Sequence, residues 1–92
     1  MAIAAASARA DEAAGKQLAT QWCAECHAVA PGQHSPNPNA PRFVDVAKDP
    51  AVTETALRTF LRSPHAKMPD IKLDRTQLDD IVGYILSLKP PG

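Results

Sequence analysis

The chain has 92 residues, the size of one small domain and close to the size at which an apolar core alone gives marginal stability. Ten lysine and arginine residues balance ten aspartate and glutamate residues, so the formal charge is zero. This balance argues against a nucleic-acid-binding protein, for which a basic footprint is expected. No apolar run in the sequence approaches the length of a membrane span.

The first ten residues are rich in alanine and end in Ala8-Arg9-Ala10, which resembles an A-x-A processing signal. We interpret residues 1–10 as the remnant of a signal peptide and residues 11–92 as the folded domain. An alanine-rich start of a first helix is the alternative interpretation.

A first helix is predicted from the N-cap residue Asp11 to about Cys23. Gly15 lies inside it, although glycine weakens a helix by about 1 kcal/mol relative to alanine. Glycine is tolerated best where another backbone or side chain comes close, which indicates a contact at this position. The apolar face predicted by the i, i+4 spacing consists of Ala14, Leu18 and Trp22.

The helix leads into Cys23-Ala-Glu-Cys26-His27, a pattern typical of c-type haem attachment. Each thiol of such a pair adds across one haem vinyl group to form a thioether. The following histidine is then carried under the iron, where its Nε2 atom can bind. The sequence therefore predicts Cys23, Cys26 and His27 as haem-binding residues, with His27 as a metal ligand. Because this ligation takes place outside the bacterial cytoplasm, it also indicates export.

Other interpretations of the two cysteines are weaker. A thioredoxin-type dithiol belongs near a βαβ pattern, and no strand-like alternation is present in the chain. A zinc site needs two more ligands, but there is no third cysteine, and His34 and His65 lie in unpromising loops. A disulfide between Cys23 and Cys26 would close a very small loop and stabilise little.

Residues 28–40 are predicted to be a loop, and Pro41 to Lys48 a short helix with proline at its first position. A further helix is predicted from Asp49-Pro50 to Arg62. Its predicted apolar face consists of Val52, Ala56, Leu57, Phe60 and Leu61.

The last helix is predicted to begin after Asp74, which forms a capping-box pattern with Gln77, and to end before Pro90-Pro91. It carries the clearest amphipathic stripe of the sequence. The pattern as a whole indicates an all-α domain. The stripe consists of Leu78, Ile81, Val82, Ile85 and Leu88.

These features together resemble the small bacterial class I cytochromes c. That family has a glycine eight residues before the first haem cysteine, as Gly15 stands before Cys23, and an aromatic residue in the last helix, which Gly83-Tyr84 matches. The resemblance implies a cytochrome c fold of three to four helices around one haem. It also implies that the terminal helices cross, with Gly15 admitting Tyr84.

The resemblance further implies two residues beyond the attachment motif. Met68, followed by Pro69, matches the methionine that supplies the sixth iron ligand; the alternative is ligation by His34 or His65. Pro41 matches the proline whose carbonyl accepts the Nδ1–H of the proximal histidine.

The function implied by the resemblance is that of a soluble periplasmic one-electron carrier, a monomer with one haem c and no enzymatic activity of its own. Its partners would be periplasmic redox proteins, such as a molybdenum dehydrogenase (for example a sulfite dehydrogenase) or a terminal oxidase. Lys67, Lys72 and Arg75 are candidates for steering an acidic partner. The alternatives are a haem-based CO or NO sensor in which Met68 is displaced, and a dithiol protein without haem.

Overall fold

The computed structural model describes residues 10–63, residue 68 and residues 71–90. Within these ranges the chain contains no strand, and the all-α fold expected from the sequence is confirmed. None of the described helices is long and apolar enough to cross a lipid bilayer. The predicted signal-peptide remnant lies outside the described residues, apart from Ala10. The helices are α1 (Glu12–Trp22), α2 (Phe43–Lys48), α3 (Glu54–Arg62) and α4 (Arg75–Ser87).

The first and last helices begin where their capping residues predict. The carboxylate of Asp11 accepts a backbone N–H of the first turn of α1 at 3.0 Å. Asp74 and Gln77 form a reciprocal capping box at the start of α4, with hydrogen bonds of 2.8 and 3.0 Å. Helix α4 ends at Ser87, before the terminal prolines. Local side-chain chemistry therefore sets both starting points.

Helix α3 begins later than predicted. The carboxylate of Asp49 accepts the N–H of Ala51 at 2.9 Å and closes a local turn, so Asp49 does not cap the helix. Thr53 is the N-cap instead, and its hydroxyl oxygen accepts the N–H of Ala56 at 3.1 Å. Both residue types suit either role, and the sequence alone gave the wrong one.

Helices α1 and α4 cross at Gly15. A Cβ atom added there would lie 2.6 Å from the carbonyl carbon of Asp80 and 2.8 Å from the Cβ of Tyr84. Both distances are too short for a real side chain, so the crossing requires glycine at this position. The predicted crossing of the terminal helices, with Gly15 against Tyr84, is confirmed.

The core is organised around α4, whose predicted stripe is buried except for Leu88, which is half-buried. The face of α1 that packs against it is Gly15 and Ala19, one position away from the predicted stripe, and Trp22 remains 37% exposed. Leu57 alone is buried within α3. The core cluster consists of Ala19, Val29, Phe43, Leu57, Leu78, Ile81, Val82, Tyr84 and Ile85.

One charged residue, Asp80, is buried on α4, and no pattern in the sequence predicted its burial. Its carboxylate accepts the backbone N–H of Asp11 at 2.9 Å. A carboxylate at this position also complements the partial positive charge at the N-terminus of α1. Asp80 therefore ties the start of the first helix to the last.

Candidate haem attachment site

The two cysteines and the histidine lie on a tight turn that continues from α1. The N–H groups of Cys23 and Ala24 both donate to the carbonyl of Ala19, at 2.8 and 3.0 Å. The N–H groups of Cys26 and His27 then donate to the carbonyl of Cys23, at 3.1 and 2.9 Å. Because α1 is packed against α4, this turn is held in a defined place relative to the core.

Cys23 and Cys26 are free thiols and are both half-buried. Burial, with a smaller contribution from Cys26, raises the pKa of the Cys23 thiol to about 11. A redox-active dithiol needs a lowered thiol pKa, since the thiolate is the reactive form. The environment of Cys23 is therefore opposite to that of a thioredoxin-type site.

The imidazole of His27 is oriented by Pro41. Its Nδ1 atom lies 2.7 Å from the Pro41 carbonyl oxygen. A carbonyl can only accept a hydrogen bond, so Nδ1 carries a proton, and in the neutral imidazole Nε2 then keeps its lone pair. The ring also contacts Phe43, with ring centroids 5.3 Å apart and planes inclined by 49°. The arrangement leaves Nε2 as the metal-binding atom.

This role explains why α2 does not begin at Pro41 as predicted. The N-cap of α2 is Arg42, whose backbone is extended at φ −69° and ψ 143°. The N–H of Phe43, the first helical residue, donates to the carbonyl of Ala28 at 2.9 Å. Pro41 therefore precedes the helix, and its carbonyl is directed to His27 and not along the helix axis.

A residue on α4 also holds the backbone near the site. The hydroxyl of Tyr84 donates to the carbonyl of Val29 at 2.5 Å, and both residues are buried. The family resemblance implied that Tyr84 lies against Gly15, but it did not predict this hydrogen bond. The only signal in the sequence was a phenolic hydroxyl next to the apolar stripe of α4, since buried tyrosine hydroxyls usually have a partner.

We predict that Tyr84→Phe lowers the free energy of unfolding by about 1–2 kcal/mol at neutral pH, because the buried carbonyl of Val29 loses its donor. Burial raises the pKa of Tyr84. The unfolded chain therefore ionises first, at about pH 10, and this contribution to stability is present below that pH and lost as the pH rises through the folded pKa. Denaturant unfolding of both proteins as a function of pH should show the difference shrinking above pH 10. A constant difference would contradict the prediction.

Met68, the candidate sixth ligand, is half-buried. The residues on either side of it, including Pro69, Lys67 and the alternative ligand His65, lie outside the described residues. His34, the other alternative, is exposed. Ligation of the iron by Met68 therefore stays a prediction from the sequence.

The zinc interpretation gains no support from the structure. Among the described residues, no group of three or more histidine, cysteine, aspartate or glutamate side chains is placed to hold a metal ion. A ligand set of one histidine with two adjacent thiols, by contrast, suits covalent attachment of haem, which brings its own four nitrogen ligands. The residues present therefore fit a haem.

The terminal helices cross, and a histidine held by a backbone carbonyl follows directly after two free cysteines. These features define a protein that carries a covalently bound haem c. The family described as "Cytochrome C oxidase, cbb3-type, subunit III" matches residues 10–85. The chain therefore belongs to this family of c-type cytochrome domains, and the resemblance stated from the sequence is confirmed.

Curated relatives agree with this assignment. Cytochrome c-552 of Bradyrhizobium diazoefficiens is 43% identical over 93 residues, which cover 98% of this chain and 89% of that protein. Cytochrome c2 of Blastochloris viridis is 27% identical over 114 residues, which cover 100% of this chain and 90% of that protein. No solved structure matches the chain at a significant level. The chain is thus similar to two curated cytochromes c over nearly its whole length.

Proposed function

We propose that the protein is a periplasmic one-electron carrier whose haem is attached through Cys23 and Cys26 and ligated by His27 and Met68. The observation that carries the proposal is the 2.7 Å contact between Nδ1 of His27 and the carbonyl oxygen of Pro41. This contact fixes the tautomer and the orientation that an iron ligand needs. It occurs directly after two thiols that are free for thioether formation.

Each of these residues has a separate task. The thioethers would keep the haem in place in both oxidation states, and the Pro41 carbonyl would raise the basicity of His27. The haem would supply one-electron exchange at iron, and ligation by both histidine and methionine would raise its reduction potential. With both His27 and Met68 bound to iron, no coordination site would be left for a substrate. We therefore propose a carrier and not an enzyme.

The proposed partners are periplasmic redox proteins. A molybdenum dehydrogenase, such as a sulfite dehydrogenase, would supply electrons, and a terminal oxidase would accept them. The description of the matching family names a subunit of a cytochrome c oxidase, which favours testing the oxidase first. Lys72 and Arg75 are exposed and could contribute to steering an acidic partner surface to a monomeric carrier.

The ligand assignment predicts that the oxidised protein has a near-infrared sulfur-to-iron charge-transfer band and that Met68→Ala abolishes it. The measurement is the absorption spectrum of protein expressed with haem-ligation machinery. Ile71→Ala is the matched control, because it removes a half-buried apolar side chain from the same region and should leave the band in place. A wild-type haem protein without the band would contradict ligation by Met68.

The same preparations separate the carrier from the haem sensor. A carrier with Met68 bound should show almost no carbon monoxide binding to the ferrous form at neutral pH, whereas Met68→Ala should bind it readily. Rapid binding by the wild-type protein would favour the sensor. A colourless purified protein would contradict the haem assignment itself.

A further inference from the structure

The loop of residues 35–42 and the first residue of α2 are hydrogen-bonded to the backbone on both sides of His27. On one side, the N–H of Asn37 donates to the carbonyl of Cys26 at 3.1 Å. On the other, the N–H of Phe43 donates to the carbonyl of Ala28 at 2.9 Å. The peptide group that precedes His27 and the peptide group that follows Ala28 are therefore both bonded to this segment of the chain.

The side chain of Ser35 adds a third hydrogen bond between these two parts of the chain. Its Oγ accepts the backbone N–H of Ala28 at 2.9 Å. Ala28 is only 2% exposed, so water cannot readily replace the serine if its hydroxyl is removed. Ser35 itself is half-buried and belongs to the same loop as Pro41.

We propose that Ser35 is a positioning residue for the iron ligand His27, an inference that rests on the function proposed above. By holding the N–H of Ala28, Ser35 fixes the peptide that follows His27. The same bond holds the loop close to His27, so that the Pro41 carbonyl stays within hydrogen-bond distance of Nδ1. The two contacts therefore depend on each other, although they involve different atoms.

The consequence concerns the electronic character of the ligand. A hydrogen bond from Nδ1–H makes the imidazole more basic and a stronger donor to Fe(III). If Ser35 no longer holds the loop, this bond lengthens or opens more often, and Fe(III) is less stabilised. The reduction potential then rises, although no residue that contacts iron has changed.

The experiment compares the wild-type holoprotein with Ser35→Ala and Ser35→Thr, the second of which keeps the hydroxyl. In ¹⁵N-labelled protein, the Ala28 amide proton and the His27 Nδ1 proton should both exchange with solvent about two- to tenfold faster in Ser35→Ala, the factor expected for loss of one hydrogen bond. Its reduction potential should rise, and Ser35→Thr should restore both values. Ser87→Ala is the matched control, because it removes a 2.6 Å serine hydrogen bond to the carbonyl of Tyr84.

Two results would overturn the proposal. One is faster exchange of the Ala28 amide with unchanged exchange at Nδ1 and an unchanged potential, which would give Ser35 a purely structural role. The other is an equal shift of potential in Ser35→Ala and Ser87→Ala. If Met68 does not bind iron, the near-infrared band of the wild-type protein will be missing. The exchange rate of the His27 Nδ1 proton still tests the role of Ser35 in that case, so the two failures can be distinguished. A protein without haem would overturn both proposals together.

Discussion

Gly15→Val should unfold the protein or reduce its free energy of unfolding by about 3 kcal/mol or more, at the upper end of the cost of overpacking. The reason is the crossing of α1 and α4, where even a Cβ would lie 2.6 Å from the carbonyl carbon of Asp80. Backbone atoms cannot move aside as a flexible side chain can, so the helices must separate. A small domain is stabilised by only about 5–15 kcal/mol, and this loss is a large part of it.

The measurement is guanidinium unfolding of the holoprotein, with the yield of haem-loaded protein as a second readout. Ala13→Val is the matched control, because it places the same side chain at an exposed position of the same helix. It should cost only about 0.6 kcal/mol of helix propensity. Equal unfolding midpoints for the two variants would show that α1 and α4 do not cross closely at Gly15.

Replacing both cysteines, Cys23→Ala with Cys26→Ala, should abolish covalent attachment. Any haem that remains bound should then be removed by acidified organic solvent and should be missing from the protein band of a denaturing gel. Each single variant should keep one thioether and hold its haem on the gel. Its alkaline pyridine haemochrome should absorb at longer wavelength than that of the wild type, because one vinyl group stays conjugated with the ring.

Glu25→Ala is the control for these variants. It changes an exposed residue between the two cysteines and leaves both thiols in place, so its haemochrome spectrum should match that of the wild type. Haem that stays on the denatured chain after loss of both thiols would contradict attachment through Cys23 and Cys26. A single variant with an unshifted spectrum would show that its cysteine forms no thioether.

Features of this protein that depend on neighbouring residues could be predicted from the sequence. The N-caps Asp11 and Asp74 act within one turn of their own helices, and the haem attachment pattern spans five consecutive residues. The stripe of α4 follows from helical periodicity alone. These features established the all-α class and the identity of the cofactor.

Where two local structures compete, the sequence was less informative. Asp49 could cap a helix or close a turn. In the structure it closes a turn, because Thr53, four residues further along, caps the helix instead. The stripe of α1 was displaced by one position, because α1 presents Gly15 and Ala19 to α4 in order to approach it closely. Packing between helices, and not periodicity within one, selected that face.

Apart from the contact between His27 and Pro41, which the family resemblance implied, the long-range hydrogen bonds were decided by the tertiary structure. The bond from Tyr84 to Val29 joins residues 55 positions apart, and that from Asp11 to Asp80 joins residues 69 positions apart. No periodic pattern or capping signal connects such residues, since their proximity exists only after the helices have crossed. The sequence by itself determined which chemistry the chain carries. The crossing of α1 and α4 and the loop before α2 decided how His27 is held.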